Sequence, residues 1–154
     1  QSGSKLPTMK KTIASPQEMS QFAKEVALQV QGGDVLLLEG DLGAGKTTFT
    51  KGLGEALDVA STVRSPTFTL LNVHDVPNHP TIKHLVHLDL YRFVNADPSE
   101  SLVHEIGLDE WLGRDDVLIV IEWPLTIITS VFPRTKTIHF TWIDDTTRDV
   151  SIHE

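Results

Sequence analysis

Residues Leu36 to Thr48 read Leu-Leu-Leu-Glu-Gly-Asp-Leu-Gly-Ala-Gly-Lys-Thr-Thr, an apolar run, then a glycine-rich turn, then a Lys-Thr-Thr that opens a helical pattern. Gly40, Gly45, Lys46 and Thr47 meet the spacing of a phosphate-binding loop, with a further glycine at Gly43. Glycine brings no Cβ and tolerates positive φ, so the backbone can wrap an anion with its N–H groups pointing inward. A helix starting near Gly45 adds its unpaired first-turn N–H groups and the positive end of its dipole. The spacing therefore makes Asp41, Leu42, Gly43, Ala44, Gly45, Lys46, Thr47 and Thr48 the candidate phosphate contacts. Lys46 supplies a mobile charge for β/γ-phosphates, and the Thr47 hydroxyl is a hard oxygen suited to Mg²⁺. The context agrees: Val35 to Leu38 precedes the loop as a buried-strand run, and Phe49, Leu53 and Leu57 follow it at helical spacing.

A chain of 154 residues with 40% hydrophobic content is the size of one domain, expected over residues 9–154. Residues 1–8 carry no signal-peptide core, read as a cloning remnant and are set aside. The net charge is -8, and the longest basic cluster is Lys10-Lys11, which argues against seizing RNA or DNA directly. The chain has no cysteine, hence neither disulfides nor a thiolate metal site, in keeping with a reducing cytoplasm. No apolar run reaches the roughly 20 residues of a membrane span.

Ser15-Pro16-Gln17-Glu18 predicts a helix start with Ser15 as N-cap and Glu18 closing a capping box. Met19, Phe22, Val26 and Val30 form its buried stripe, and Gly32-Gly33 its end. Val63 to Leu71 begins as a turn and continues as a strand, and His74 to Thr81 is a loop. Ile82 to Leu90 completes an antiparallel hairpin with that strand. A polar turn at Asp97 leads into a short helix, with a break at Gly107 before Leu112. Val117 to Ile121 is uniformly aliphatic, as in a strand buried on both faces of a mostly parallel sheet. Thr137 to Ile143 and Asp149 to His153 predict a C-terminal hairpin.

A phosphate loop needs a carboxylate on the metal side, normally at the end of a neighbouring apolar strand. Glu122 ends the most central strand and is the better metal-side acid; Asp89 is the better candidate for ordering the attacking water or for a switch segment. A salt bridge or a helix cap is the plain alternative for either. His84 and His87 lie three apart on a strand, face opposite sides, and cannot share one metal; each is expected to be solvated or hydrogen-bonded. Trp123 either walls a nucleotide pocket or packs in the core, and Arg148 either reaches a phosphate or base or stands as a surface arginine.

In order along the chain after Met9, Gly-Asp-Leu-Gly-Ala-Gly-Lys-Thr-Thr at Gly40, Ser-Pro-Thr-Phe-Thr at Ser65, His-Leu-Asp-Leu-Tyr-Arg at His87, Gly-Leu-Asp-Glu-Trp at Gly107 and Ile-Glu-Trp-Pro at Ile121 resemble the bacterial TsaE (YjeE) ATPases. Those proteins take part in making the threonylcarbamoyladenosine modification of tRNA. The resemblance implies an α/β, P-loop NTPase-like three-layer fold: a central mixed, mostly parallel sheet with helices on both faces, closed by the C-terminal antiparallel hairpin. It also implies an ATP- and Mg²⁺-dependent ATPase, weak alone, that partners TsaD and TsaB, with TsaD carrying the transferase chemistry. tRNA would be met only through that complex, and the free protein would be a monomer or weak oligomer. By motif position Thr47 and Glu122 look like the Mg²⁺ ligands. Ser65 to Thr69 looks like the first switch, with Thr67 joining Lys46 and Asp89 as catalytic. Arg148 and the helix entry at Ser15 look like nucleotide contacts. Met19 stands where many members have threonine, so a side-chain contact from that position is not carried over.

Two other classes compete. A small-molecule kinase shares the phosphate loop but usually has a lid with convergent arginines, whereas Arg64, Arg92, Arg114, Arg134 and Arg148 are scattered singly. A GTP-operated switch would carry an Asn-Lys-x-Asp segment, which the chain lacks. A nucleotide-binding adaptor, in which ATP only stabilises a docking surface, overlaps with the family reading.

Overall fold

Leu36 and Leu38 enter one apolar cluster and Val35 and Leu37 another, so the strand ahead of the glycine-rich loop is buried on both faces. A computed structural model describes residues 9–41, 43–60 and 70–153. Leu42, and the Ser65 to Thr69 segment with Thr67, lie outside the described residues. The described elements run β1 (Met9–Ile13), α1 (Pro16–Ala27), β2 (Val35–Gly40), α2 (Lys46–Ala56), β3 (Leu71–Asp75), β4 (His84–Asp89), α3 (Leu102–Glu105), β5 (Val117–Glu122), α4 (Thr126–Thr129), β6 (Lys136–Trp142) and β7 (Arg148–His153). Short 3₁₀ turns at Tyr91–Phe93 and Leu108–Trp111 flank α3.

The strands form one seven-stranded sheet in the order β1-β7-β6-β2-β5-β4-β3. β6, β2, β5 and β4 run parallel at its centre; β3 at one edge and β7 at the other side run antiparallel to them, and β1, antiparallel to β7, returns to the central direction. The expected hairpin of β6 with β7 is present. β4 has an antiparallel partner as expected, but that partner, β3, shares only Leu71 with the expected Val63 to Leu71 strand, whose residues up to 69 lie outside the described residues.

Helices cover both faces. On the first, Phe22 of α1, Phe49 of α2 and Phe140 of β6 stack with ring centroids 5.5 and 5.6 Å apart. Leu36, Leu38, Leu118 and Val120 lie beneath them. On the second, Leu102 and Val103 of α3, Leu108 and Ile128 of α4 close over Val35, Leu37, Val86, Leu88, Ile119 and Ile121. Each fully buried side chain of this size contributes about 1.5–3 kcal/mol. The strand alternation that divides these residues also sends Leu85, His87 and Asp89 toward α2, and Val86 and Leu88 away from it. Among the described residues no helix is long and apolar enough to cross a membrane.

Three expectations change. The first helix ends at Ala27 rather than at Gly32-Gly33. Its last turn unwinds as Val30 N–H bonds back to the Val26 carbonyl, which still buries Val30, and Gly33 N–H turns away to the Val117 carbonyl at 2.8 Å. The loop expected from His74 starts two residues later, because β3 continues through Asp75 against His84. The strand Met9–Ile13 was not expected at all; its alternation is weak and its partner β7 lies at the far end of the chain. The break at Gly107 falls as expected, with φ +83 separating α3 from the turn at Leu108.

Candidate functional site

Because β2, β4 and β5 are parallel, Gly40, Asp89 and Glu122 emerge at the same edge of the sheet, the edge at which α/β folds bind ligands. Asp89 and Glu122 are directly opposite each other in the β4–β5 ladder. The chain turns from β2 into α2 through Gly45, whose φ of +107 is left-handed. A Cβ at Gly45 would also stand 2.7 Å from Met19 Cε, a flexible end that can shift, so it is the backbone conformation that demands glycine there. Two residues are thereby delivered at the start of α2: Lys46, 4% exposed, and Thr47.

These residues open onto a cavity of about 630 Å³, within the range of small-molecule sites. Its floor is Gly43, Gly45, Lys46, Thr47 and Thr48 of the loop and helix start. Asp89, Tyr91, Glu122 and Trp123 form one wall, Ile13, Ser15, Pro16 and Met19 the opposite one, and Asp145, Thr146 and Arg148 the rim. Of the residues singled out in the sequence, Ser15, Gly43, Gly45, Lys46, Thr47, Thr48, Asp89, Glu122 and Arg148 therefore converge on one space. Asp41 and Ala44 belong to the loop without lining the cavity: Ala44 is buried, and Asp41 offers its carbonyl to Lys46.

The Lys46 ammonium donates to the carbonyls of Gly40 and Asp41, the latter at 2.9 Å, and lies 3.9 Å from the centroid of the Trp123 ring. Burial pushes its pKa down, opposed by the negative charges of Glu122, Asp41 and Asp89. Trp123 adopts φ +56, uncommon for so bulky a residue and worth about 1–3 kcal/mol of strain. That turn places its ring 4.9 Å from Tyr91 and over Lys46, so Trp123 walls the cavity rather than filling the core.

Glu122 is 2% exposed; its Oε1 receives the Thr47 hydroxyl at 3.4 Å and its Oε2 faces His87 Nε2 at 2.6 Å. Thr47 and Glu122 are thus two hard oxygen donors meeting at the cavity, a set that fits Mg²⁺ with its remaining positions taken by phosphate and water. The described residues contain no group of three or more His, Cys, Asp or Glu side chains able to hold a metal by themselves. Asp89 Oδ1 accepts from Tyr91 N–H at 3.0 Å. Burial raises its carboxyl above the ordinary value; the Tyr91 hydrogen bond opposes this and the Glu122 charge adds to it.

Ser15 caps α1 as expected: its hydroxyl accepts from Glu18 N–H at 3.1 Å, while Glu18 reaches back to Ala14 N–H at 2.9 Å. Arg148 is no isolated surface residue, since its Nε donates to the Gly43 carbonyl at 3.1 Å and its Nη1 to those of Asp144 and Thr147. Met19 enters the cavity as a buried apolar wall, consistent with no polar contact from that position. His84 and His87 do face opposite sides: His84 bonds Asp75 at 3.1 Å and meets the Trp111 ring, while His87 is fully buried under α2. Sequence reasoning missed Ile13, Pro16, Tyr91, Asp145 and Thr146 as lining residues. Of these only Tyr91 carried a signal, its place two residues after Asp89.

A strand, a glycine-rich loop and a helix start, with acids at the ends of adjacent parallel strands, put the chain in the P-loop class of α/β folds. The family model described as threonylcarbamoyl adenosine biosynthesis protein TsaE matches residues 13–150, and the chain belongs to that family. It is 44% identical over 115 residues to the tRNA threonylcarbamoyladenosine biosynthesis protein TsaE of Bacillus subtilis, covering 75% of this chain and 66% of that one. It is 42% identical over 115 residues to the protein of the same name from Aquifex aeolicus, covering 71% of this chain and 84% of that one. The fold is similar to the crystal structure of Bacillus subtilis YdiB, with a TM-score of 0.68 and 32% identity over 95% of this chain and 84% of that one.

Proposed function

We propose that the protein binds Mg²⁺-ATP in the cavity above α2 and hydrolyses it as the ATPase subunit that supports threonylcarbamoyladenosine modification of tRNA, in the cytoplasm, together with TsaD and TsaB. The observation that carries this reading is the convergence of Lys46, Thr47, Glu122 and Asp89 on one cavity at the carboxyl edge of the sheet.

The residues divide the work by chemistry. Loop N–H groups and the start of α2 hold the phosphates, and Lys46 exchanges backbone carbonyls for phosphate oxygens as it neutralises their charge. Thr47 and Glu122 hold Mg²⁺, which when bound supplies charge stabilisation at the transferring phosphoryl group. Asp89, held at Oδ1 by Tyr91 N–H, orients the attacking water from the neighbouring strand end. Arg148 and Ser15 close the nucleotide from the rim and from the start of α1, and Thr67 acts from the Ser65 to Thr69 segment.

TsaD would dock at the nucleotide end of the sheet, and the segments around Ser65 to Thr69 and Asp89 would sense the contact. The acidic chain, at net charge -8, makes tRNA a partner only through that complex. The isolated protein should hydrolyse ATP slowly, because an unsupported switch orients the water poorly. The TsaD–TsaB pair should accelerate turnover, and ATP should tighten the complex in return, since coupling of two binding events is reciprocal. The test is the dissociation constant of the complex with ATP, with ADP and without nucleotide, measured beside the hydrolysis rate. Three equal constants and an unchanged rate would leave a stand-alone hydrolase.

A further inference from the structure

We propose that His87 is a positioning residue for Glu122, fixing the carboxylate so that Oε1 faces Thr47 and the metal side of the cavity. The proposal rests on the Mg²⁺-nucleotide reading of the site and adds to it a residue that lines no part of the cavity.

His87 is fully buried and Glu122 is 2% exposed, and their contact from Nε2 to Oε2 is short, at 2.6 Å. A carboxylate only accepts, so Nε2 carries the proton and donates it. Among the described residues His87 Nδ1 is buried without a hydrogen-bond partner. The Nε2–H tautomer therefore leaves only a lone pair unmatched. The opposite tautomer would bury an orphan N–H and turn a lone pair toward Oε2.

The backbone sets the geometry. His87 lies opposite Val120 in the β4–β5 ladder, and Glu122 follows two residues on, on the same face. Leu85, two residues before His87, and Val120 both belong to the apolar cluster beneath α2. An aliphatic side chain at position 87 would continue that cluster without burying a polar ring. It would also free one oxygen of a buried carboxylate to rotate away from Thr47. Partners that orient a metal ligand in this way are typically worth 10–100-fold in metal affinity.

Calorimetric titration of ATP at stepped Mg²⁺ concentrations, and separately in EDTA, tests this on the full chain with His87→Phe and His87→Gln. In His87→Phe the Mg²⁺ needed for half-maximal tightening of ATP should rise at least about tenfold, while affinity for ATP in EDTA stays unchanged. His87→Gln places an amide N–H at the Nε2 end and should restore most of the Mg²⁺ response. If His87→Phe does not fold, His87→Asn replaces it, its amide reaching only as far as Nδ1. An unchanged Mg²⁺ requirement in His87→Phe or His87→Asn, or a loss in His87→Gln as large as theirs, overturns the role of His87 alone. A wild-type protein whose ATP affinity ignores Mg²⁺ overturns the metal reading, and this proposal with it.

Discussion

Lys46 and Glu122 show how ionisable side chains can be buried in a site when their polar atoms are given partners. The ammonium shares the carbonyls of Gly40 and Asp41 with the face of Trp123, and the carboxylate divides its oxygens between Thr47 and His87. Removing the ammonium should weaken ATP binding at least tenfold, about 1.4 kcal/mol or more. Calorimetry on folded Lys46→Ala checks this, and unchanged affinity would sink the phosphate-loop reading. The two acids should separate cleanly, because Glu122 meets Thr47 whereas Asp89 is held by Tyr91. Glu122→Ala should lose the Mg²⁺-dependent part of ATP affinity, and Asp89→Ala should keep binding but lose turnover. Equal losses of binding in both variants would show the roles to be shared or exchanged.

The helix that carries Lys46 and Thr47 is itself held by α1. Gly52 permits the approach: a Cβ there would stand 3.0 Å from Ala23 Cβ and 3.4 Å from Ser20 Cα. Valine would gain helix propensity over glycine but needs room that two closely packed helices lack, so Gly52→Val should destabilise the fold by about 1–3 kcal/mol. A thermal melt with an unchanged midpoint would show that α1 yields without loss. The β6–β7 hairpin is tied to the loop both through β6, where Phe140 pairs with Gly40, and through the hydrogen bond from Arg148 to Gly43. The rim of the cavity is therefore joined to its floor through a side chain as well as through the packing of Phe140 beside Ala44.

At the scale of the whole molecule, the first face of the sheet accumulates buried imidazoles toward the β3 edge. Burial lowers the pKa of His74 below the ordinary histidine value of 6.5, and the neighbouring His87 adds to the effect. Below pH 6.5 the unfolded chain then takes up a proton that the native state resists, so the unfolded state binds more protons and stability falls as pH falls. The contribution is fully present above that pH and is lost as pH drops toward the lowered native value. Urea unfolding between pH 7 and pH 5 should accordingly show a steeper decline for the wild-type chain than for His74→Gln. Parallel curves would mean that His74 titrates alike in both states.

The phosphate loop, the capped start of α1, the buried central strand and the acids Asp89 and Glu122 were all legible in the sequence. Each is set by residues adjacent or one turn apart, where glycine conformation, capping and apolar periodicity act without reference to the rest of the chain. The strand Met9–Ile13, the early end of α1, the side of the sheet taken by Trp123, and the partners of His87 and Arg148 were not. The His87–Glu122 contact joins positions 35 apart, and Arg148 reaches Gly43 across 105. Such contacts depend on strand order and on register, where a one-residue slip sends a side chain to the opposite face. Local pattern determined which residues are candidates for the site; only the assembled sheet decided which of them meet, because register and strand order are properties of the packed whole.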